Sequence, residues 1–184
     1  MPIIDGNHER LLLQLKQMEV FKIKTMENNI MFKRGYLATK TENTIARQIH
    51  TDTDGLYGVK PTEDYWSPVD FILYQEKLNI KIYVELKNRE IEDKYETLMI
   101  GKSKICMIID KELYPTYIIN TFKNATYVYV VEDENFLIKY KRNDTNIFVP
   151  KSVCFTYERF INKLLDTYFF KYNYHNINSH TITP

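Results

Sequence analysis

Two alternating apolar runs separated by a short polar stretch constrain this chain more than any other feature of it. They are Ser67-Pro68-Val69-Asp70-Phe71-Ile72-Leu73-Tyr74 and Ile80-Lys81-Ile82-Tyr83-Val84-Glu85-Leu86-Lys87-Asn88-Arg89. The pattern predicts a β-hairpin. With Glu76-Lys77-Leu78-Asn79 as the loop, Gln75 pairs with Ile80 and Asp70 falls opposite Glu85. Side chains alternate along a strand, so Val69, Phe71 and Leu73 share a face with Ile82, Val84 and Leu86, while Asp70, Glu85 and Lys87 share the other. Like charges directly opposite each other destabilise a strand pair. A hairpin that keeps them implies a cation between the two carboxylates, and the conflict with local stability marks a functional position.

Composition narrows the classes that could use such a pair. A chain of 184 residues with 44% hydrophobic content is the size of one domain with a substantial core. Its 25 basic and 24 acidic side chains leave a formal charge of +1, so any grip on a polyanion is a local patch. The two cysteines, Cys106 and Cys154, sit in apolar contexts without metal-ligand spacing and read as buried thiols of a reducing compartment. His8, His50, His175 and His180 are scattered. No apolar run approaches the roughly 20 residues of a membrane span, and no leader pattern opens the chain. The expectation is a soluble, intracellular protein with no membrane partner.

Along the chain, Asp5-Gly6-Asn7 caps a helix beginning near His8, and Val20 to Lys24 alternates like a short strand. A second helix runs from Thr39 or Thr41 to His50, with Glu42, Ile45, Ala46 and Ile49 along one side. Thr51 to Trp66 reads as a loop, in which Asp52-Thr53-Asp54-Gly55 is a turn lacking the distal ligands of a calcium loop. After the hairpin the pattern predicts a helix opening at Ile91-Glu92-Asp93 and stopping at Gly101, then a buried strand over Lys104–Asp110. It predicts a short helix from Thr116 to Phe122, and strands at Ala125–Val131 and Phe136–Tyr140. A turn at Asn143-Asp144, an edge strand at Asn146–Val149 and a helix from Thr156 to Phe170 follow, the helix presenting Phe160, Ile161, Leu164, Leu165 and Tyr168 on one face. Together these make an α/β core with a mixed central sheet flanked by helices. The organisation reads as a helical extension over 1–37 packed on the core, a main domain over 38–170, and an irregular tail over 171–184.

The carboxylate pair suits a hard divalent cation, which needs only one or two protein carboxylates when a phosphate and waters complete its shell. The Leu86 carbonyl could add a third oxygen. Lys87 lies about 6.5–7 Å along the strand from Glu85, placed to act on a phosphoryl oxygen or a metal-bound water.

Asp70, Glu85-Leu86-Lys87 and the elements around them resemble the PD-(D/E)xK nuclease superfamily, similar to its viral and phage members. The resemblance covers about residues 38–131 and implies a restriction-endonuclease-like core running helix, strand, strand, strand, helix, strand. Here Pro68-Val69-Asp70 carries one residue more than the family's Pro-Asp pair. The resemblance implies a metal-dependent endonuclease acting on DNA, duplex or single-stranded, with magnesium as cofactor and manganese as a substitute. Asp70, Glu85 and the Leu86 backbone would bind the metal, and Lys87 would be the catalytic lysine. Glu42 is the better match for the family's helix glutamate, with Glu27 the alternative. In Tyr95 to Lys104 the resemblance makes Lys102 and Lys104 candidates for substrate phosphate, while Arg89 either clamps a phosphate or sits on the surface. A homodimer is one arrangement the family uses, and a viral source would place the protein in the host cytoplasm or nucleus. Two alternatives stand beside this reading: a nuclease-like fold that no longer cleaves and serves as a binding module for host takeover or anti-defence, and the same fold acting on RNA or branched DNA.

Overall fold

The computed structural model describes residues 40–62 and 66–179. The expected helix near His8, the alternation at Val20 to Lys24, and Glu27 lie outside them, as does the end of the tail.

Helix α1, Lys40–Asp52, comes first, followed by strands β1 (Gly58–Pro61), β2 (Phe71–Gln75) and β3 (Ile80–Asn88). Strand β4 (Thr97–Gly101), helix α2 (Lys102–Asp110) and strands β5 (Thr116–Thr121) and β6 (Thr126–Val131) come next. The one-turn helix α3 (Phe136–Lys139), strands β7 (Lys141–Arg142) and β8 (Asn146–Pro150) and the long helix α4 (Tyr157–Ser179) complete the described chain. The central sheet has the order β1-β2-β3-β5-β6, antiparallel except for the β3–β5 pair, and a smaller sheet has the order β4-β8-β7. This is the mixed α/β class expected from the sequence. The order helix, strand, strand, strand, helix, strand is present as α1, β1, β2, β3, α2 and β5, with β4 interposed.

The hairpin register is the expected one, with Phe71 paired to Val84 and Gln75 to Ile80. Its loop is a turn of 3-10 helix over Glu76–Leu78, closed by Asn79 in the left-handed region at φ 49°. Asparagine tolerates that conformation better than most residues because its short polar side chain bonds locally. Strand β1 was expected to be loop. It pairs with β2, and a Cβ at its Gly58 would stand 2.4 Å from the Tyr74 ring, which would have to shift. Asp54 and Gly55, both at positive φ, end α1 in the expected turn.

The elements after the hairpin differ from expectation. Residues 91–96 form no helix: the Asp93 N–H is held by Asn124 Oδ1 at 2.9 Å, and its carboxylate binds Lys151 and the Tyr127 hydroxyl, so it caps nothing. Thr97–Gly101 is a strand, burying Leu98 and Ile100 and exposing Met99. The apolar run at Lys104–Asp110 belongs to a helix, not a strand, with Ile105 and Ile108 buried at i, i+3 spacing. Gly101 precedes that helix instead of ending one. Thr116–Thr121 is a strand with five consecutive buried residues, as befits a parallel neighbour of β3 covered on both faces. Phe136–Lys139 is a helical turn whose Phe136 ring stacks on Tyr129 at 6.0 Å. The strand expected at an edge, β8, is central in its sheet, and α4 continues past Phe170 into the segment expected to be irregular.

Both faces of the central sheet are covered. Phe71, Leu73, Ile82, Val84 and Ile119 lie on one, where Tyr117 meets Phe160 of α4 at 4.9 Å between ring centroids. Helices α1 and α4 are tied by Tyr157 donating to Asp52 Oδ2 at 3.0 Å. The opposite face packs Tyr83, Ile118, Tyr129 and Val131 against Ile105 and Ile108 of α2 and Leu98, Ile100, Ile147 and Val149 of the smaller sheet. Val69 belongs to this second cluster and not to the face of Phe71, because residues 68–70 bend before β2 begins and alternation does not reach back to it. Cys106 and Cys154 are unpaired and only partly buried. No helix among the described residues is long and apolar enough to cross a membrane.

Candidate metal and nucleic-acid site

Strand β3 runs on after β2 has ended, and the site forms at that step. Its Tyr83 N–H donates to Pro115 O at 3.0 Å and its Arg89 N–H to Thr121 O at 2.8 Å, so the odd-numbered amides face β5. The even-numbered ones therefore face β2. At Leu86 no strand backbone is left on that side, and Asp70 fills the gap: its Oδ2 accepts the Leu86 N–H at 2.6 Å, while the Asp70 N–H donates to Val84 O at 2.9 Å. The Leu86 carbonyl points to the same edge as its amide.

Glu85, one residue earlier, projects to the side of the sheet that α2 covers and is only 1% exposed. Two ammonium groups converge on its Oε1: Lys87 Nζ, from the same strand, at 2.8 Å, and Lys104 Nζ from α2. Its Oε2 is buried and has no hydrogen-bond partner among the described residues. Burial pushes the Glu85 carboxyl up to about 7 from 4.5, and the Asp70 charge pushes the same way; the two lysines pull it down without offsetting them. The expected like-charge conflict is therefore present, and it bears on a group that burial already penalises.

Asp70, Glu85, Lys87, Lys104 and the Leu86 backbone are brought together. Lys102 is not beside Lys104: it opens α2, with its backbone amide on Thr145 O at 2.8 Å. Two residues along a helix turn through about 200°, which sends the two side chains to opposite sides. Glu42 lies partly buried in the first turn of α1. Arg89 is tied to the smaller sheet, donating to the Met99 carbonyl, with its guanidinium 5.8 Å from the Phe122 ring. His50 serves the backbone through a 2.9 Å contact with Tyr57 O. Trp66 is 75% exposed. Sequence reasoning missed Asn120, which is fully buried beside Lys87 in the β3–β5 ladder. The signal for it was a lone amide ending the apolar run Tyr117-Ile118-Ile119.

The donor set fits a divalent cation. Among the described residues no three His, Cys, Asp or Glu side chains cluster, so the protein offers two carboxylates and a carbonyl. That suffices for magnesium only if a substrate phosphate and waters complete the shell. A buried carboxylate oxygen without a partner, beside a second carboxylate, is the atom such an ion would take.

No protein-family model matches the sequence, and no curated protein matches it. Among solved structures, the chain is similar to Hjc, a Holliday junction resolvase from the archaeal hyperthermophile Archaeoglobus fulgidus. The two share 8% identity with a TM-score of 0.44, over 64% of this chain and 96% of that one.

Proposed function

We propose that this protein is a metal-dependent nuclease that hydrolyses DNA phosphodiester bonds. One observation carries the reading: a buried glutamate with one oxygen unpartnered, faced by a second carboxylate and by two lysines. Asp70, Glu85 and the Leu86 carbonyl would hold magnesium or manganese, and Glu42 is the proposed helix glutamate. The bound ion would supply a Lewis acid for the phosphoryl group and a hydroxide at neutral pH. Asp70 keeps its carboxylate at the end of β2 through the Leu86 amide, so its position is fixed by the sheet. Lys87, 31% exposed, can leave Glu85 Oε1 for a substrate oxygen and oppose charge developing there. Lys104 holds Glu85 in place from α2, and Lys102 is left as the lysine for a more distant phosphate.

The test is cleavage of plasmid and single-stranded DNA with magnesium by Asp70→Ala, Glu85→Ala and Lys87→Ala. Loss of cleavage in each is expected, and full activity in all three overturns the assignment. A second reading, a non-cleaving binding module, is favoured by one feature: two lysines already engage Glu85 without a metal. Calorimetry separates the two, since manganese binding that depends on Asp70 and Glu85 belongs to the nuclease alone.

A further inference from the structure

A row of buried polar groups runs inward from Glu85 across three strands. Alternation puts Asn120 of β5 and Tyr129 of β6 on the same face of the sheet as Glu85, with Asn120 level with Lys87 and Tyr129 level with Ile118, itself the ladder partner of Glu85. Asn120 is 0% exposed and Tyr129 2% exposed. Neither the Asn120 Oδ1, nor Glu85 Oε2, nor the Arg89 Nε has a hydrogen-bond partner among the described residues, while the Asn120 side chain reaches the Tyr129 hydroxyl. Burial drives the Tyr129 phenol far up, while the hydrogen bond with the Asn120 side chain and the Arg89 charge pull it down.

Native interiors almost always pair such groups, and ordered water does so where protein does not. Asn120 stands between Lys87 and Tyr127 in the ladder, and the apolar Ile118, Val131, Ile105 and Phe136 lie on the same side of the sheet. An isoleucine or valine at 120 would suit this cluster as well as its neighbours do, so the amide serves something other than packing.

We propose that Asn120 is a positioning residue: together with the Tyr129 hydroxyl it holds ordered water against Glu85. This fixes the carboxylate from the interior while Lys87 and Lys104 fix it from the solvent side. A buried water takes two to four polar partners, and this row offers that number. Outer partners of a metal-binding carboxylate orient it in the same manner as partners of a ligating histidine. The proposal rests on the nuclease reading for its kinetic arm and stands on structure alone for the rest.

Three measurements on the full chain test it. A crystal structure should show water within hydrogen-bond distance of both Asn120 and Glu85 Oε2; Asn120 satisfied only by protein groups overturns the proposal. Asn120→Leu should lower kcat for DNA cleavage about tenfold or more, leave KM nearly unchanged, and weaken manganese binding by a similar factor in calorimetry. Asn120→Ser, which keeps a hydroxyl and leaves room for a second water, should recover most of both. Tyr129→Phe, which removes a single oxygen, should shift both in the same direction and covers the case in which the leucine variant does not fold. A folded Asn120→Leu with wild-type kcat and manganese affinity overturns the proposal. If the wild-type chain cleaves nothing and binds no manganese, the nuclease reading fails by itself, and the crystallographic arm alone decides whether the hydrated row exists.

Discussion

Glu85 and Asp93 are both acids held by lysine, and they are opposites in every other respect. Asp93 has one oxygen on Lys151 and the other on the Tyr127 hydroxyl, so its carboxylate is satisfied. The Lys151 and Tyr127 hydrogen bonds hold it below the usual carboxylate range. Lys151 in turn lies over the Phe122 and Tyr127 rings, at 5.9 and 5.0 Å. Nothing at that site lacks a partner, and its effect is to pin the 89–96 segment to β6. Glu85 has both lysines on one oxygen, none on the other, a second carboxylate beside it and a carboxyl group pushed up to about 7. Two lysine–carboxylate pairs in one small protein thus separate a tie that stabilises from an arrangement that costs stability and leaves an atom available. The unfinished hydrogen bonding at Glu85, more than its charge, distinguishes it.

The largest effect that could break this contrast is on activity. Glu85→Gln keeps the shape and the lysine contacts but removes a metal-binding charge; cleavage should fall to background, while the thermal midpoint at pH 8 rises because the cost of burying that charge, and its repulsion from Asp70, are gone. A midpoint that falls would mean the glutamate is structural, like Asp93. The pH dependence of metal-free stability comes next. The folded chain keeps a proton on Glu85 that the unfolded chain releases between about 4.5 and about 7, so stability from this group is present below 4.5 and is lost as pH rises through 7. The loss is on the order of 3 kcal/mol. Asp93 carries the opposite sign: its contribution is present above its ordinary 3.8 and is lost as pH falls below it. Chemical unfolding across pH should show both slopes, and Glu85→Gln should abolish only the one between about 4.5 and about 7. Lys151→Met is expected to lower the thermal midpoint with cleavage per folded molecule within roughly twofold of wild type, as for a substitution remote from the chemistry. The smallest effect separates the helix lysines: Lys102→Ala should reduce the slope of log affinity against log salt for duplex DNA by about 0.9, and Lys104→Ala should leave it unchanged. Equal slopes would return Lys104 to the phosphate-binding role.

The hairpin was legible because period-two alternation and a four-residue polar break leave one register that buries Phe71, Leu73, Ile82 and Val84 together. That register alone brought Asp70 to Glu85. What followed was not legible, since short apolar runs do not declare a period. Lys104–Asp110 carries Ile105, Cys106, Met107, Ile108 and Ile109 in succession, and only tertiary packing selects Ile105 and Ile108 as the buried pair. Thr116–Thr121 does carry a strand signal, four β-branched residues in six, which stands against the short helix expected there. A helix over that segment does not place Asn120 beside Lys87; only the strand does. The role of Asp93 was hidden for another reason: Tyr127 and Lys151 are distant in sequence, and a charged residue after a strand looks the same whether it caps a helix or ties a loop.

The bond from the Leu86 amide to Asp70 has a consequence for motion. An amide held by a backbone carbonyl of a long strand exchanges its hydrogen only when the sheet opens. Leu86 is held instead by a side chain at the end of a shorter strand, so its exchange rate reports how often Asp70 lets go. The residue proposed to bind the ion is also the last rung of the ladder. Loading the site would therefore slow exchange at this one amide, far more than at Val84 deeper in the hairpin, and hydrogen exchange at Leu86 becomes a direct measure of how long the two carboxylates stay in place together.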